Sequence, residues 1–249
     1  MKYRWNAKQR HGVHSPFIYE LTDKCFRTPI SIETKSKIEA LTKRLRNNHD
    51  SISITDYGAG SKKLGNQRKI SSIYKTSSSK GKFGKLLYQL VNHYQLENVL
   101  ELGTSVGVGT IHLALGQSKA NITTIEGCPE THRVATDNFK ALEINNITAI
   151  NSTFKDYLPN IPKETTFDLI FIDGHHDGDA MLEYMEMLFL HAHTDTFFIL
   201  DDIRWSSSMK AAWKKVIADD RFHVTIDLFR MGIALLRPQQ EKEHFVIRP

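Results

Sequence analysis

At 249 residues, with 40% hydrophobic and 24% charged positions, the chain is sized for one large core with a smaller appendage and is too apolar for a disordered tail. No run of about 18 uncharged apolar residues occurs, and the opening MKYRWNAKQRHG has no apolar signal region, so the expectation is a cytoplasmic chain without a membrane span. The net charge of +5 is uneven: residues 1–100 carry 19 basic and 7 acidic side chains, residues 101–249 carry 14 and 21.

In chain order, Ser15-Pro16 reads as an N-cap and first helical residue, and a second helix starts at Ser31 and buries Ile38, Leu41 and Leu45. SISITDY follows as a strand, then Asp56-Tyr57-Gly58-Ala59-Gly60 and a polar stretch up to Lys82 that reads as a long loop or lid. A helix from Phe83 leads into a regular alternation. Apolar strands at about 98–102, 121–126, 147–151, 167–173 and 196–201 alternate with helices at about 109–117, 129–143, 177–191 and 206–219, the pattern of a parallel sheet covered on both faces. Strands at about 222–227 and 229–236 lie too close for a parallel crossover and should pair antiparallel. The expected fold is a doubly wound α/β sheet of seven strands, the last antiparallel, with a helical extension and lid in residues 1–80 and the sheet domain in 81–249. Cys25 and Cys128 lack metal or redox spacing and read as reduced thiols.

The chemistry concentrates at strand ends. VLELGTSVGVGT carries glycines at 103, 107 and 109, a spacing of GxxxGxG rather than the GxGxxG of dinucleotide folds. Glu101 lies in this turn, where it would repel a pyrophosphate and attract an ammonium group. Glu126, at the end of the next strand, is placed to hold two ribose hydroxyls. S-adenosylmethionine has an ammonium, a sulfonium and no phosphate, and explains Glu101; the role of Glu126 is shared by both cofactor classes. FIDGHHDGD closes the strand at 167–173 with Asp173, a glycine and two adjacent histidines at the sheet rim. Asp177 and Asp179 suit a helix start.

From about residue 77 to 237 the chain resembles the class I S-adenosylmethionine-dependent methyltransferases, most of all the catechol and caffeoyl-CoA O-methyltransferase group and its bacterial relatives. GKFGKLLYQLV is similar to the family's helix before the first strand, VLELGTSVGVGT to its first motif, TTIEGCPE to its second, and NSTFKDYLP to its adenine-contacting segment. The resemblance implies cofactor contacts from Ser78, Ser79, Glu101, Gly103, Thr104, Ser105, Gly107, Glu126, Gly127, Ser152, Thr153, Phe154 and Asp173. It also implies a divalent cation, Mg²⁺ by the hardness of its oxygen ligands, on Asp173, Asp201 and Asp202, although Asp202 stands where the family has Asn. His176 replaces the family's general-base lysine, with Asp173 the other catalytic residue. A neutral imidazole, with an ordinary pKa of about 6.5, suits proton removal from a hydroxyl. Trp205 either lines the acceptor pocket or packs under its loop, and Cys128 falls near the adenine.

The implied activity is O-methylation of a small-molecule hydroxyl, and homodimers are common in the group. Two other readings stay open: a methyltransferase acting on RNA or another polyanion through the basic N-terminal region, and a cofactor-binding module without turnover. An NAD-dependent oxidoreductase is opposed by Glu101 and the terminal hairpin. Acceptor choice falls to the first 80 or so residues, including His11 and His14.

Overall fold

The computed structural model describes residues 15–55, 67–76 and 79–248. Its centre is an eight-stranded sheet whose strands are β3 (Asn98–Leu102), β4 (Asn121–Glu126), β5 (Ile147–Asn151), β6 (Phe167–Ile172), β7 (Ala192–Leu200), β8 (Val224–Asp227), β9 (Gly232–Leu235) and β10 (Glu243–Val246). They lie in the order β10-β8-β9-β7-β6-β3-β4-β5. All pairs are parallel except those of β9, which runs antiparallel to both β7 and β8. A separate antiparallel pair joins β1 (Ser51–Ser53) to β2 (Gln67–Lys69).

Successive strand side chains point to opposite faces, so each strand feeds two cores. Val99, Leu169, Phe171, Phe197 and Ile199 enter one cluster; Leu100, Leu102, Ile170, Ile172, Phe198 and Leu200 enter the other. The first face is covered by α1 (Pro16–Tyr19), α2 (Ile32–Arg46), α3 (Ile70–Thr76), α4 (Lys82–Tyr94), α5 (Val108–Gly116) and α6 (Pro129–Ala141), with Leu41, Leu45, Leu87, Leu90 and Ile111 in its core. The second is covered by α8 (Gly178–Leu188) and α9 (Ser207–Ala218), through Met181, Met185, Trp213 and Val216. Between them in sequence, α7 (Phe154–Tyr157) is a single turn after β5.

Side-chain caps fix the helix starts. Ser15 Oγ accepts from Ile18 N, Ser31 Oγ accepts from Thr34 N at 3.0 Å, and Ser206 Oγ accepts from Met209 N at 3.0 Å. Asp177 Oδ1 accepts from the backbone N–H groups of Asp179 and Ala180, which accounts for the acidic pair after the histidines as a helix start. Gln95, in left-handed conformation, ends α4. Both cysteines are free and buried.

The structure departs from the sequence expectation in three places. The expected seven strands are joined by an eighth, β10, whose sequence EHFV buries only Phe245 deeply and offers no apolar run to detect. Within the expected polar loop up to Lys82, residues 67–76 form β2 and α3, with Ile70, Ile73 and Tyr74 buried. Of the expected strand SISITDY, Ser51–Ser53 form β1 and Ile54 and Thr55 do not continue it, while Asp56 and Tyr57 lie outside the described residues.

What the topology does for the site follows from β3. Its neighbours are β4 on one side and β6 on the other, so the winding reverses there and a crevice opens beyond the strand ends. Backbone bonds from Gly103 N to Ile125 O (3.0 Å), Asp173 N to Leu102 O (2.9 Å) and Asp201 N to Ile172 O (3.0 Å) carry the ladders past the last strand residues. They align the ends of β3, β4, β6 and β7 at one rim.

Candidate active site

A cavity of about 410 Å³ lies at this rim. Of the residues expected around a cofactor, Gly103, Ser105, Glu126, Gly127, Thr153, Phe154 and Asp173 line it. Gly103 has φ +109, and a Cβ there would lie 2.2 Å from Asp173 O, so the turn between β3 and α5 passes the end of β6 at a separation only glycine permits. Glu126 faces the turn and is fixed by two backbone donors: its Oε2 accepts from Ser105 N at 2.8 Å and its Oε1 from Cys128 N at 2.9 Å. Charge-assisted bonds of this kind hold the carboxylate in one orientation.

Glu101, Thr104, Gly107, Ser152 and Ser79 do not line the cavity. Glu101, expected in the turn itself, is the fourth residue of β3 and is 1% exposed beneath the turn. Its Oε2 accepts from Thr110 Oγ1 at 2.5 Å and from Thr124 Oγ1 at 2.6 Å. Burial lifts its carboxyl to about 7, against the pull of those two hydroxyls and with a further push from Glu126. Glu101 Oε1 faces Gly109 and Ser79 closely: a Cβ built on Gly109 would lie 2.7 Å from Glu101 Oε1 and 3.2 Å from Ser79 Oγ. Thr104 bonds Thr124 at 2.6 Å, and Gly107 packs on the Phe139 ring. Ser152 Oγ bonds the Thr153 carbonyl next to the cavity. Ser79 Oγ donates to Asp173 Oδ2 at 3.0 Å, linking the segment before α4 to the end of β6. Ser78, His11, His14 and residues 56–60 lie outside the described residues.

The paired histidines diverge. His175 lines the cavity, where its Nδ1 is 2.6 Å from Tyr184 OH and Tyr184 packs edge-on against Phe154. His176 turns the other way: its Nε2 is 4.0 Å from Asp202 Oδ2 and its ring centroid 6.1 Å from that of Trp205. Trp205 is 69% exposed, so it does not pack beneath a loop. His175 (φ +65), His176 (φ +27) and Asp202 (φ +50) all hold left-handed backbone, a concentration of strain typical of functional sites.

The three aspartates do not form the expected metal cage. Among the described residues no group of three His, Cys, Asp or Glu side chains is arranged to hold a metal ion. Asp173 and Asp201 face one another, and the Asp173 carboxyl is raised well above the usual carboxylate range by burial and then by the Asp201 charge. Asp202 is turned toward His176 and Arg230 by its left-handed backbone. Arg230 Nε lies 3.0 Å from Asp202 Oδ1 and 3.5 Å from Asp201 Oδ1, so one guanidinium spans both carboxylates.

Sequence reasoning did not find Ile54, Thr55, Arg68 and Ile73, which close the cavity from the N-terminal segment, or Tyr184 and Lys155. Cys128 does line it, with its Sγ accepting from Thr55 N at 3.4 Å. Ile54 and Thr55 sat in a legible strand, but nothing in that stretch tells which crevice it reaches.

With the geometry in place, comparison with known proteins adds the following. Residues 100–203 match a family described as a methyltransferase domain. A catechol O-methyltransferase of Niastella koreensis is 32% identical over 131 residues, 51% of this chain and 57% of the relative, so the chain spans a little over half that curated relative's length. A methyltransferase of Podospora anserina, solved bound to SAH, superposes with a TM-score of 0.60 at 14% identity over 90% of this chain and 97% of that one. An O-methyltransferase of Bacillus cereus in complex with SAH gives 0.56 at 19% identity over 87% and 96%. At such identities these structures speak for the fold, a Rossmann-like methyltransferase sheet. No helix among the described residues is long and apolar enough to cross a membrane.

Proposed function

We infer that this chain, which has the class I methyltransferase fold and a methyltransferase-domain match over residues 100–203, is an S-adenosylmethionine-dependent O-methyltransferase acting on a small-molecule hydroxyl. The observation that carries the reading is the pair of acids at the switch-point crevice. Glu126 is clamped on its wall, where it can accept from ribose hydroxyls, and Glu101 is buried beneath the glycine turn, where an ammonium group would offset the cost of its charge.

In this reading Glu126 accepts from the ribose hydroxyls, and the Gly103 turn lets the ligand approach the backbone. Phe154, Tyr184 and His175 form the adenine end. Ser79 and Glu101 define the ammonium end. When bound, the cofactor would supply a methyl group already activated by the sulfonium, so transfer is an in-line displacement. The protein's remaining work is to position the acceptor and take its proton. His176 is the base we assign, with the Asp202 carboxylate 4.0 Å behind it to favour the imidazolium that results. Asp173, between Ser79 and Asp201, borders both ligands. Ile54, Thr55, Arg68 and Ile73 of the N-terminal segment close the cofactor cavity, and acceptor choice is assigned to that segment; Ser79 and residues 81–249 hold the cofactor.

The test is transfer of tritium from methyl-labelled S-adenosylmethionine to a panel of hydroxylated aromatic and aliphatic compounds. The reading expects label in an extractable ether product with at least one acceptor class, lost in His176→Gln. Label that never exceeds the spontaneous background across the panel would count against O-methylation of small molecules.

A further inference from the structure

Arg230 is the group at the acceptor side that the reading above leaves without a task. It sits in the turn between β8 and β9, and that turn is stitched to the segment after β7. Ile203 N donates to Arg230 O at 3.0 Å, and Arg204 Nη1 donates to Phe229 O at 2.7 Å and to Asp227 Oδ1 at 2.7 Å. These bonds fix the backbone of residue 230 against Asp201 and Asp202 independently of its side chain. The side chain then delivers Nε to within 3.0 Å of Asp202 and 3.5 Å of Asp201.

The need for that charge is plain at Asp201. Its side chain is fully buried, shares a side-chain hydrogen bond with the Asp173 carboxyl, and turns its remaining charge toward Arg230. A carboxylate in that position is costly unless a positive charge faces it. A guanidinium is always charged in proteins and pairs well with carboxylates at a part-buried site.

We propose that Arg230 is the resident cation of the acceptor site, filling with its guanidinium the seat that Asp201 and Asp202 would otherwise offer to a divalent ion. The inference rests on the methyltransferase reading only for calling this the acceptor side. Its ground is the guanidinium on the two carboxylates. In consequence, the positive charge on Asp202, the carboxylate that faces His176, is built into the chain. Arg230 is thus a positioning residue for charge.

The experiment is Mn²⁺ titration followed by electron paramagnetic resonance on the full chain, with Mn²⁺ as the probe for hard divalent ions. SAH binding is measured on the same samples by calorimetry. The wild type should leave millimolar Mn²⁺ in its free form. Arg230→Gln should bind it at least about tenfold more tightly than wild type, and Arg230→Lys, which keeps the charge, should remain silent. Stoichiometric Mn²⁺ binding by the wild type, abolished by Asp201→Asn, would overturn the proposal, even if Arg230→Gln fails to fold. A folded Arg230→Gln that gains no Mn²⁺ affinity would overturn it too. SAH binding keeps the two claims apart, since its loss in the wild type would undo the methyltransferase reading and leave the Mn²⁺ result to be judged alone.

Discussion

Replacing Glu101 with glutamine keeps the side chain's shape and the acceptor oxygen for Thr110 and Thr124 while removing a charge that the fold buries almost completely. The carboxyl is raised from 4.5 to about 7, mainly by burial. A raised pKa means the protonated form is the one the fold favours. The stabilising contribution is therefore fully present below the ordinary value of 4.5 and is lost as pH rises through about 7. The difference of roughly 2.5 units corresponds to about 3 kcal/mol. Glutamine has nothing to lose over that range. Without cofactor, the stability of Glu101→Gln relative to wild type should improve by about 2.5 kcal/mol between pH 5 and pH 8.5, or roughly 5 to 10 °C in melting temperature for a chain of this size. The assay is thermal unfolding of both proteins across that range without ligand. Parallel curves of melting temperature against pH would refute the burial argument. Cofactor binding should respond in the opposite sense: wild-type affinity for SAH, which carries the ammonium, should rise as pH passes through about 7, and Glu101→Gln should show a weaker and flatter profile.

Three further substitutions probe separate links. Glu126→Ala removes the carboxylate fixed by Ser105 and Cys128 and should weaken SAH binding about 10- to 100-fold by calorimetry, the size expected for charged hydrogen bonds. His176→Gln should leave SAH affinity unchanged and lower turnover by about 10² or more, as for loss of a general base; equal turnover would remove His176 from the chemistry. Gly103→Ala places a methyl group on Asp173 O in backbone of positive φ and should cost about 1–3 kcal/mol or more in denaturant unfolding.

Much of the architecture was legible because β3 to β7 are apolar runs separated by helix-length segments. Their register then follows from burial of both faces, with Leu100, Leu102 and Ile170 in one core and Val99, Leu169 and Phe171 in the other. β10 was not legible, since His244 and Glu243 give it the face of an exposed loop and it gains its place only by pairing with β8. α3 was hidden by the serines and lysines around Ile70, Ile73 and Tyr74. At the site, residues at strand ends could be read because the fold class dictates where strands end: Gly103, Glu126 and Asp173 are of this kind. Glu101 reads as an acid inside the turn, whereas it is buried in β3 against Thr110 and Thr124, brought in from a helix and a neighbouring strand. Arg230 escaped notice because its contact with Asp201 and Asp202 is made by the antiparallel hairpin, whose turn folds back over the end of β7. His175 and His176 look equivalent in sequence. Their opposite directions come from two successive left-handed residues, which no pattern of residue types announces.

The most direct test of the central claim, that the crevice between Glu126 and the Gly103 turn is a site for the methyltransferase cofactor, is calorimetric titration of SAH into the purified protein at pH 8, with NADH titrated under the same conditions. Saturable one-to-one binding of SAH, lost in Glu126→Ala, with no heat from NADH, is the predicted result. Binding of NADH in preference to SAH, or SAH binding indifferent to Glu126, would contradict it.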